Sequence, residues 1–335
     1  MSLFSFSSSR RRRLLQGFGA AAATAALGTW PLSSSAQAQG AAKEPLRIGF
    51  QKYGTLTVLK ARGDLEKRLA PQGIAVQWVE FPAGPQLLEG LNVGSIDFGT
   101  VGEAPPIFAQ AAGAPIVYVA NQPPAPAAEA ILVPKDSPLK SVAELKGKKV
   151  ALNKGSNVHY LLVRALEKAG VKYADVNVVF LPPADARAAF ERGAVDAWVI
   201  WDPFFAAAEQ QLGARILADG TGLVSNHQFY LASRGYSDKR PEVVAAIIDE
   251  LAKLDAWAAK DAKAVATLLA PQLGLSFEIT EASARRFAYG VKPISAEVAA
   301  EQQKIADAFH ELKLIPKPVK VADALPGTLR VAQKP

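Results

Sequence analysis

A pattern of helix, turn, strand and polar stop occurs twice in this chain, and it constrains the fold more than any other feature. The clearer copy is Asp185–Phe204, DARAAFERGAVDAWVIWDPF. It reads as a short amphipathic helix, a turn at Gly193, an apolar strand from Val195 to Ile200 and a stop at Trp201-Asp202-Pro203. The other copy is Leu87–Phe108, LLEGLNVGSIDFGTVGEAPPIF. Here Gly94 aligns with Gly193, Asp97 with Asp196, and Gly102-Glu103-Ala104 with Trp201-Asp202-Pro203. Upstream of each lies a further matched pair, LRIGFQKYGT (Leu46–Thr55) and KKVALNKGSN (Lys148–Asn157), strands that run into polar loops holding Lys and Gly. Both pairs are offset by roughly a hundred residues, the mark of an internal repeat. The fold class expected is α/β, built as two similar lobes. A strand ending in Trp-Asp-Pro sets a ring and a carboxyl at the carboxyl edge of a sheet, where ligands bind in open α/β folds.

The rest of the chain fits around this repeat. Asn121–Ala128, NQPPAPAA, is rich in proline and leads into the apolar strand Glu129–Val133, a natural crossing between lobes. Phe229–Ser233, FYLAS, is the return crossing. Two crossings make two hinge strands, about which the lobes open and close. The boundaries expected are 45–130 plus 232–318 for the first lobe, 131–231 for the second, and 319–335 for a surface tail. From Pro241 onward apolar residues recur at three- and four-residue steps, as in Val244, Ile247, Leu251 and Leu254, the stripe of packed helices.

The N-terminus reads as an export signal over residues 1–38. Arg10 to Arg13 precede a short, mildly apolar stretch, Gly17–Thr29, and the segment ends at Ala36-Gln37-Ala38, an A-x-A cleavage site. Arg11-Arg12 followed by Leu14-Leu15 has the form of a twin-arginine signal. The apolar stretch is too short for a bilayer span, which takes about 20 residues. Cleavage after Ala38 and a soluble periplasmic product are the expectation. The formal charge of +7 then loses its meaning, because those four arginines supply most of it and no acid precedes Glu44. What remains is scattered Lys and Arg at a net +3, which argues against nucleic acid. With no cysteine, disulfides, thiolate metal sites and cysteine nucleophiles are excluded.

Catalytic machinery is not legible. His159, His227 and His310 lie far apart, without a metal-ligand neighbour at i+2 to i+4, and no H-E-x-x-H, G-x-S-x-G or strand-to-helix G-x-G-x-x-G occurs. No catalytic residue, metal or cofactor is expected. A binding site assembles more readily. Gly155, Ser156 and Asn157 sit between a strand and a helix, where Ser and Asn cap and the helix N-terminus offers free N–H groups to an anion. The loop Gly99–Glu103, with Gly102 and Glu103, is its counterpart in the first lobe. Two such loops across a cleft favour a compact oxyanion. Trp201, beside Asp202, is placed to cover the apolar part of a ligand. Asp202 and Glu103 fit an anion site awkwardly: they orient donors, cap helices, face a membrane partner or pair with an amine on the ligand. Lys52 is the most exposed candidate.

Several long segments resemble one family: LRIGFQK, VEFPAGPQLLEGLNVGSIDFG, PPIFAQAAGAPIVYV, LKGKKVALNKGS, PADARAAFERGAVDAWVIWDP and VKPISAEVAAEQQ. Together they span Leu46 to Pro318 and resemble the aliphatic sulfonate-binding proteins, the periplasmic components of ABC importers. The resemblance implies a type II periplasmic-binding fold that closes on its ligand. It also implies a monomer that delivers an alkanesulfonate to a membrane permease for sulfur assimilation. Carried onto this chain, it implies ligand contacts at Gln51 and Lys52, Gln86, Gly102 and Glu103, Gly155 to Asn157, Trp201 and Asp202, and Tyr230. One departure stands out: Tyr53 follows Gln51-Lys52 where the family pattern has small residues, so this ring either narrows the pocket or points away. Relatives that bind taurine, nitrate or thiamine-pyrimidine precursors share the overall pattern, and an enzyme on the same fold is the rival class.

Overall fold

Alternating strands and helices build two five-stranded sheets in the computed structural model, which describes residues 44–326. The export segment with its cleavage site at Ala38, and residues 327–335 of the expected tail, lie outside the described residues. The chain opens with β1 (Leu46–Phe50), α1 (Gly54–Arg62), α2 (Asp64–Leu69) and β2 (Val76–Glu80). Then follow α3 (Gly84–Asn92), β3 (Phe98–Val101), α4 (Pro105–Ala111) and β4 (Ile116–Asn121). The stretch between β1 and β2 folds as two helices, because Gly63 takes φ +64° and ends the first.

After the first crossing come β5 (Glu129–Val133), β6 (Lys149–Leu152), α5 (Asn157–Lys168) and β7 (Asn177–Phe180). These lead to α6 (Pro183–Glu191), β8 (Ala197–Trp201), α7 (Phe204–Leu212) and β9 (Arg215–Asp219). The return strand is β10 (Phe229–Ser233), followed by α8 (Arg234–Lys239), α9 (Pro241–Ala258), α10 (Ala262–Leu273), α11 (Phe277–Arg286) and α12 (Ala296–Glu311).

The sheet orders are β2-β1-β3-β10-β4 and β7-β6-β8-β5-β9. They are one topology used twice. In each sheet three parallel strands are followed by an antiparallel crossing strand, β10 in the first and β5 in the second. Each crossing strand therefore lies wholly in one sheet, Glu129–Val133 in the second and Phe229–Ser233 in the first. The repeat is exact at atomic level where it matters. The Arg47 N–H donates to an Asp97 carboxylate oxygen at 2.9 Å, and the Asp97 N–H donates back to the Arg47 carbonyl at 2.8 Å. The Lys149 and Asp196 pair does the same at 2.7 and 2.8 Å. Gly94 and Gly193, three residues before these aspartates, take φ +71° and +67°. Each aspartate thus locks the start of a parallel strand to its neighbour, which is why the motif recurs.

Helices cover both faces of each sheet. The first sheet packs α1, α9 and α10 on one side and α3, α4 and α12 on the other. The second buries the apolar faces of α5, α6 and α7. Residues after Pro318 do not lie loosely on the surface: Val319, Val321, Ala324 and Leu325 enter the core beneath α4 and α12. The two crossings run side by side, with the Gln122 N–H bonded to the Gln228 carbonyl and the Ala125 N–H to that of Ser225. Asp255 on α9, 1% exposed, ties this hinge to its surroundings. It accepts from Thr55 Oγ1, Gln122 Nε2 and the backbone N–H groups of Gly290 and Val291.

Candidate functional site

A pocket lies between the lobes, at the carboxyl ends of β1 and β8 and against the paired crossings. Its polar wall comes from Tyr53, Asn157, Asn226, Gln228 and Ser283, and its apolar wall from Trp201 and Phe287, with Asp202 beside them. Each element supplies its residue for a local reason. Tyr53 is the last residue before α1, Asn157 the first of α5, and Trp201 the last of β8. Asn226 stands in the return crossing at φ +50°, a left-handed conformation that asparagine tolerates better than most residues. Ser283 and Phe287 come from the C-terminal end of α11.

One belt of hydrogen bonds crosses the pocket. Gln51 Nε2 donates to the Thr100 carbonyl at 3.1 Å and to the Tyr53 hydroxyl at 3.2 Å. The Tyr53 hydroxyl donates to Gln228 Oε1 at 2.8 Å, and Gln228 Nε2 donates to Asn226 Oδ1 at 3.4 Å. Asn157 Nδ2 then donates to the same Asn226 oxygen at 3.2 Å and to Glu129 Oε2. Burial pushes the Tyr53 hydroxyl well above its ordinary pKa, so it stays protonated and remains a donor. The N-terminus of α5 opens into the same region with no side-chain cap. Ser156 does not cap it, because its hydroxyl donates back to the Asn153 carbonyl at 2.7 Å.

Among the described residues no Lys or Arg lines this pocket. A cation lies behind Asp202. Arg286, the last residue of α11, reaches Asp202 at 3.4 Å, bonds Glu209, and stacks its guanidinium on Phe205 at 3.9 Å. Asp202 also accepts the Ala206 N–H at 3.0 Å, holding the first turn of α7. Burial lifts its carboxyl to about 7, against the opposing pull of Arg286. Asp202 is therefore part of a clasp between α11, which packs on the first lobe through α10, and α7 of the second.

The sequence candidates separate clearly. Asn157, Trp201 and Asp202 line the pocket, and Gln51 supports it through Tyr53. Gly102 and Gly155 are points where the lobes touch. A Cβ on Gly102 would stand 2.9 Å from that of Asn157, and one on Gly155 would stand 3.1 Å from the Phe108 ring. Glu103 is buried beside the return crossing, accepting the His227 N–H at 3.1 Å. Three candidates lie away from this pocket. Lys52 turns to the surface and pairs with Glu80 at 3.5 Å, because parallel register brings Phe50 and Glu80 level. Gln86 is exposed on α3. Tyr230 is fully buried in the middle of the first sheet, its ring stacked on Phe98. His159 is likewise buried, among Phe108, Tyr173, Phe180 and Phe309 where the lobes meet.

Sequence reading left Tyr53 between narrowing the pocket and pointing away, and it missed Asn226, Gln228, Ser283 and Phe287 in the wall and Glu129 and Arg286 behind it. Two signals were present. Glu129 is an acid heading an otherwise apolar strand, and Ser225–Gln228 is a polar run directly before another. Nothing local marks Ser283 and Phe287, or Arg286 behind them, and all three are brought there by the packing of α11.

Comparison with known proteins agrees with this architecture. The profile of the family described as NMT1/THI5 like matches residues 69–264. A protein of Escherichia coli (strain K12) named for binding aliphatic sulfonates is 49% identical over 296 residues, covering 88% of this chain and 92% of its own. The crystal structure of the alkanesulfonate-binding protein SsuA from Xanthomonas axonopodis pv. citri, bound to MOPS, is 45% identical with a TM-score of 0.81. It covers 84% of this chain and 97% of its own. The periplasmic aliphatic sulphonate binding protein SsuA from Escherichia coli is 48% identical with a TM-score of 0.75, covering 83% and 90%. The chain belongs to the NMT1/THI5-like family and, within it, to the aliphatic sulfonate-binding proteins.

Proposed function

We propose that this protein captures aliphatic sulfonates, R-SO₃⁻, between its two lobes and delivers them to the permease of an ABC importer for sulfur uptake. It would do so in the periplasm, after export and cleavage behind Ala38. The observation that carries the reading is the interlobe pocket itself, a belt of neutral donors facing two aromatic rings. A sulfonate stays ionised at every physiological pH and has three equivalent oxygens. Neutral dipoles drawn from both lobes, together with an uncapped helix N-terminus, suit such a group without a paired cation. In this account the Tyr53 hydroxyl, the Asn157 and Gln228 amides and the Ser283 hydroxyl hold the headgroup. Trp201 and Phe287 cover the chain. The role is capture without chemistry, and closure is favoured by the ligand's greater affinity for the closed state.

Thermal melting of the purified mature protein tests this reading. An alkanesulfonate in large excess over its Kd should raise the melting temperature, since a ligand bound to the native state stabilises it by about 2.7 kcal/mol at a hundredfold excess. No shift with any sulfonate, alongside a shift with nitrate or a pyrimidine, would overturn the assignment. The role of Trp201 has its own test. Each methylene buried against the ring contributes about 0.8 kcal/mol. Trp201→Ala should therefore weaken long-chain sulfonates by roughly tenfold and methanesulfonate far less. Equal losses across chain lengths would mean that the ring does not pack on the tail.

A further inference from the structure

Two buried acids, Glu103 and Glu129, flank the seam where Gly102 of the first lobe meets Asn157 of the second. Glu103 is 1% exposed and Glu129 fully buried. Each keeps one carboxyl oxygen, Oε1, with no hydrogen-bond partner, and among the described residues neither makes an ion pair. Such an arrangement is costly if both are charged, because an unpaired buried carboxylate forfeits its hydration.

The surroundings of each are well defined. Glu129 faces the Asn157 amide, the Tyr53 ring and Glu103. Glu103 faces the N–H groups of Asn226 and His227, with the Glu301 carboxylate farther out. It also borders a side cavity with Tyr160, Arg164, His227 and Lys304 on its wall. The His227 ring is engaged elsewhere, with the Gln122 carbonyl at 2.8 Å and with Glu301. Asn157 and Asn226 connect both acids to the ligand pocket, since Asn157 bonds Glu129 and Asn226 at once.

We propose that capture of the sulfonate takes up a proton: as the lobes close, the Glu103–Glu129 pair leaves water and one proton passes from solvent to a carboxylate oxygen of the pair. The anion is then enclosed beside a pair that holds one proton and a single charge rather than beside two like charges. This deepens the sulfonate reading and rests on it. Burial pushes Glu103 to about 8, with the Glu301 charge adding to the rise, and lifts Glu129 well above its usual range, with the Glu103 charge adding to it. In the open form both return toward the ordinary carboxylate range. The sign follows: raised values in the closed form favour closure at low pH, and that advantage is lost as pH rises toward 8. Affinity should fall across this window by up to about tenfold per pH unit for one proton.

Two neighbours have to be separated from the effect. His159, held down to about 4 by burial in the interlobe aromatic cluster, would release a proton on closing below its ordinary value. At pH 7.5 it is neutral in both forms. Asp202 titrates near 7 in the clasp with Arg286, and it is distinguished by variant.

The test is calorimetric titration of the mature protein with an alkanesulfonate at pH 7.5, in phosphate, imidazole and Tris. Sulfonate buffers such as MOPS are avoided because they compete for the site. The expected result is a binding enthalpy that varies with the buffer's ionisation enthalpy, with a slope of about one proton taken up. Glu129→Gln and Glu103→Gln should each lower that slope and together remove most of it while binding persists, and Asp202→Asn should leave most of it. Wild-type binding without buffer dependence overturns the proposal and leaves the sulfonate reading intact. So does a slope that only Asp202→Asn removes. If a variant fails to fold, the wild-type slope and the fall of affinity between pH 6 and 8 decide. Absence of binding by every alkanesulfonate overturns the reading itself, and the proposal with it.

Discussion

Gly102→Ala should weaken ligand binding by roughly ten- to a hundredfold and leave the melting temperature of the ligand-free protein nearly unchanged. The reason is where the new methyl would go. It would stand 2.9 Å from Asn157 Cβ and 3.0 Å from Cγ and Oδ1, closer than real Cβ atoms approach. Asn157 cannot yield, because its amide is committed to Glu129 and Asn226. Overpacking of this kind costs about 1–3 kcal/mol, and about 1.4 kcal/mol is a factor of ten in affinity. The penalty falls on the closed form alone, since Gly102 and Asn157 belong to different lobes and part on opening. Gly155 is a poorer probe. It takes φ +74°, so an alanine there would be strained whether the lobes are open or closed. The check is calorimetric affinity beside melting without ligand. A lowered melting temperature with unaltered affinity would mean that the contact is permanent core and not a closing surface.

The second large effect concerns stability. Asp255→Ala should lower the unfolding free energy by on the order of 3 kcal/mol, measured by denaturant titration. This carboxylate gathers four donors from three separated parts of the chain. They are Thr55 at 2.5 Å, Gln122 at 3.0 Å, Gly290 at 3.0 Å and Val291 at 2.7 Å. Truncation leaves these donors buried and unpaired, and each such group costs about 1–3 kcal/mol before water enters. Asp255→Asn keeps one acceptor oxygen and should recover part of the loss. A change below about 1 kcal/mol for the alanine variant would show that α9 and the first crossing hold together without this residue.

The lobes were legible in the sequence because their cause is local and repeated. An aspartate three residues after a turn glycine closes the same pair of backbone bonds in both sheets, so Asp97 and Asp196 mark equivalent places. Apolar runs such as Leu46–Phe50 and Asn177–Phe180 carry their strands with little help from context. Position along a strand did not reveal which side chains reach the cleft. Lys52 follows directly on β1, and its partner Glu80 belongs to the adjacent strand, so its direction is decided by register. Tyr230 lies between β3 and β4, where both faces of the sheet are covered and a ring is drawn into the core. Asn226 and Gln228 become site residues only because the two crossings pair with each other. Arg286 and Phe287 arrive from more than eighty residues beyond Asp202, on a helix whose own pattern is that of ordinary packing. Tyr53, the departure in an otherwise familiar loop, lines the pocket, and its hydroxyl spans to Gln228.

The central claim is that the pocket between the lobes is built for a sulfonate headgroup. The most direct measurement is a pair of calorimetric titrations of the mature protein in a sulfonate-free buffer, one with butanesulfonate and one with pentanoate, which carries the same four-carbon tail. The donors come from both lobes; in this account they surround a tetrahedral group of three oxygens, and a planar carboxylate would leave some of them unpaired inside a closed pocket. Saturable one-site binding of the sulfonate, with the carboxylate weaker by roughly a hundredfold or more, is the predicted result. Equal affinity for the two, or binding of neither, would contradict the account.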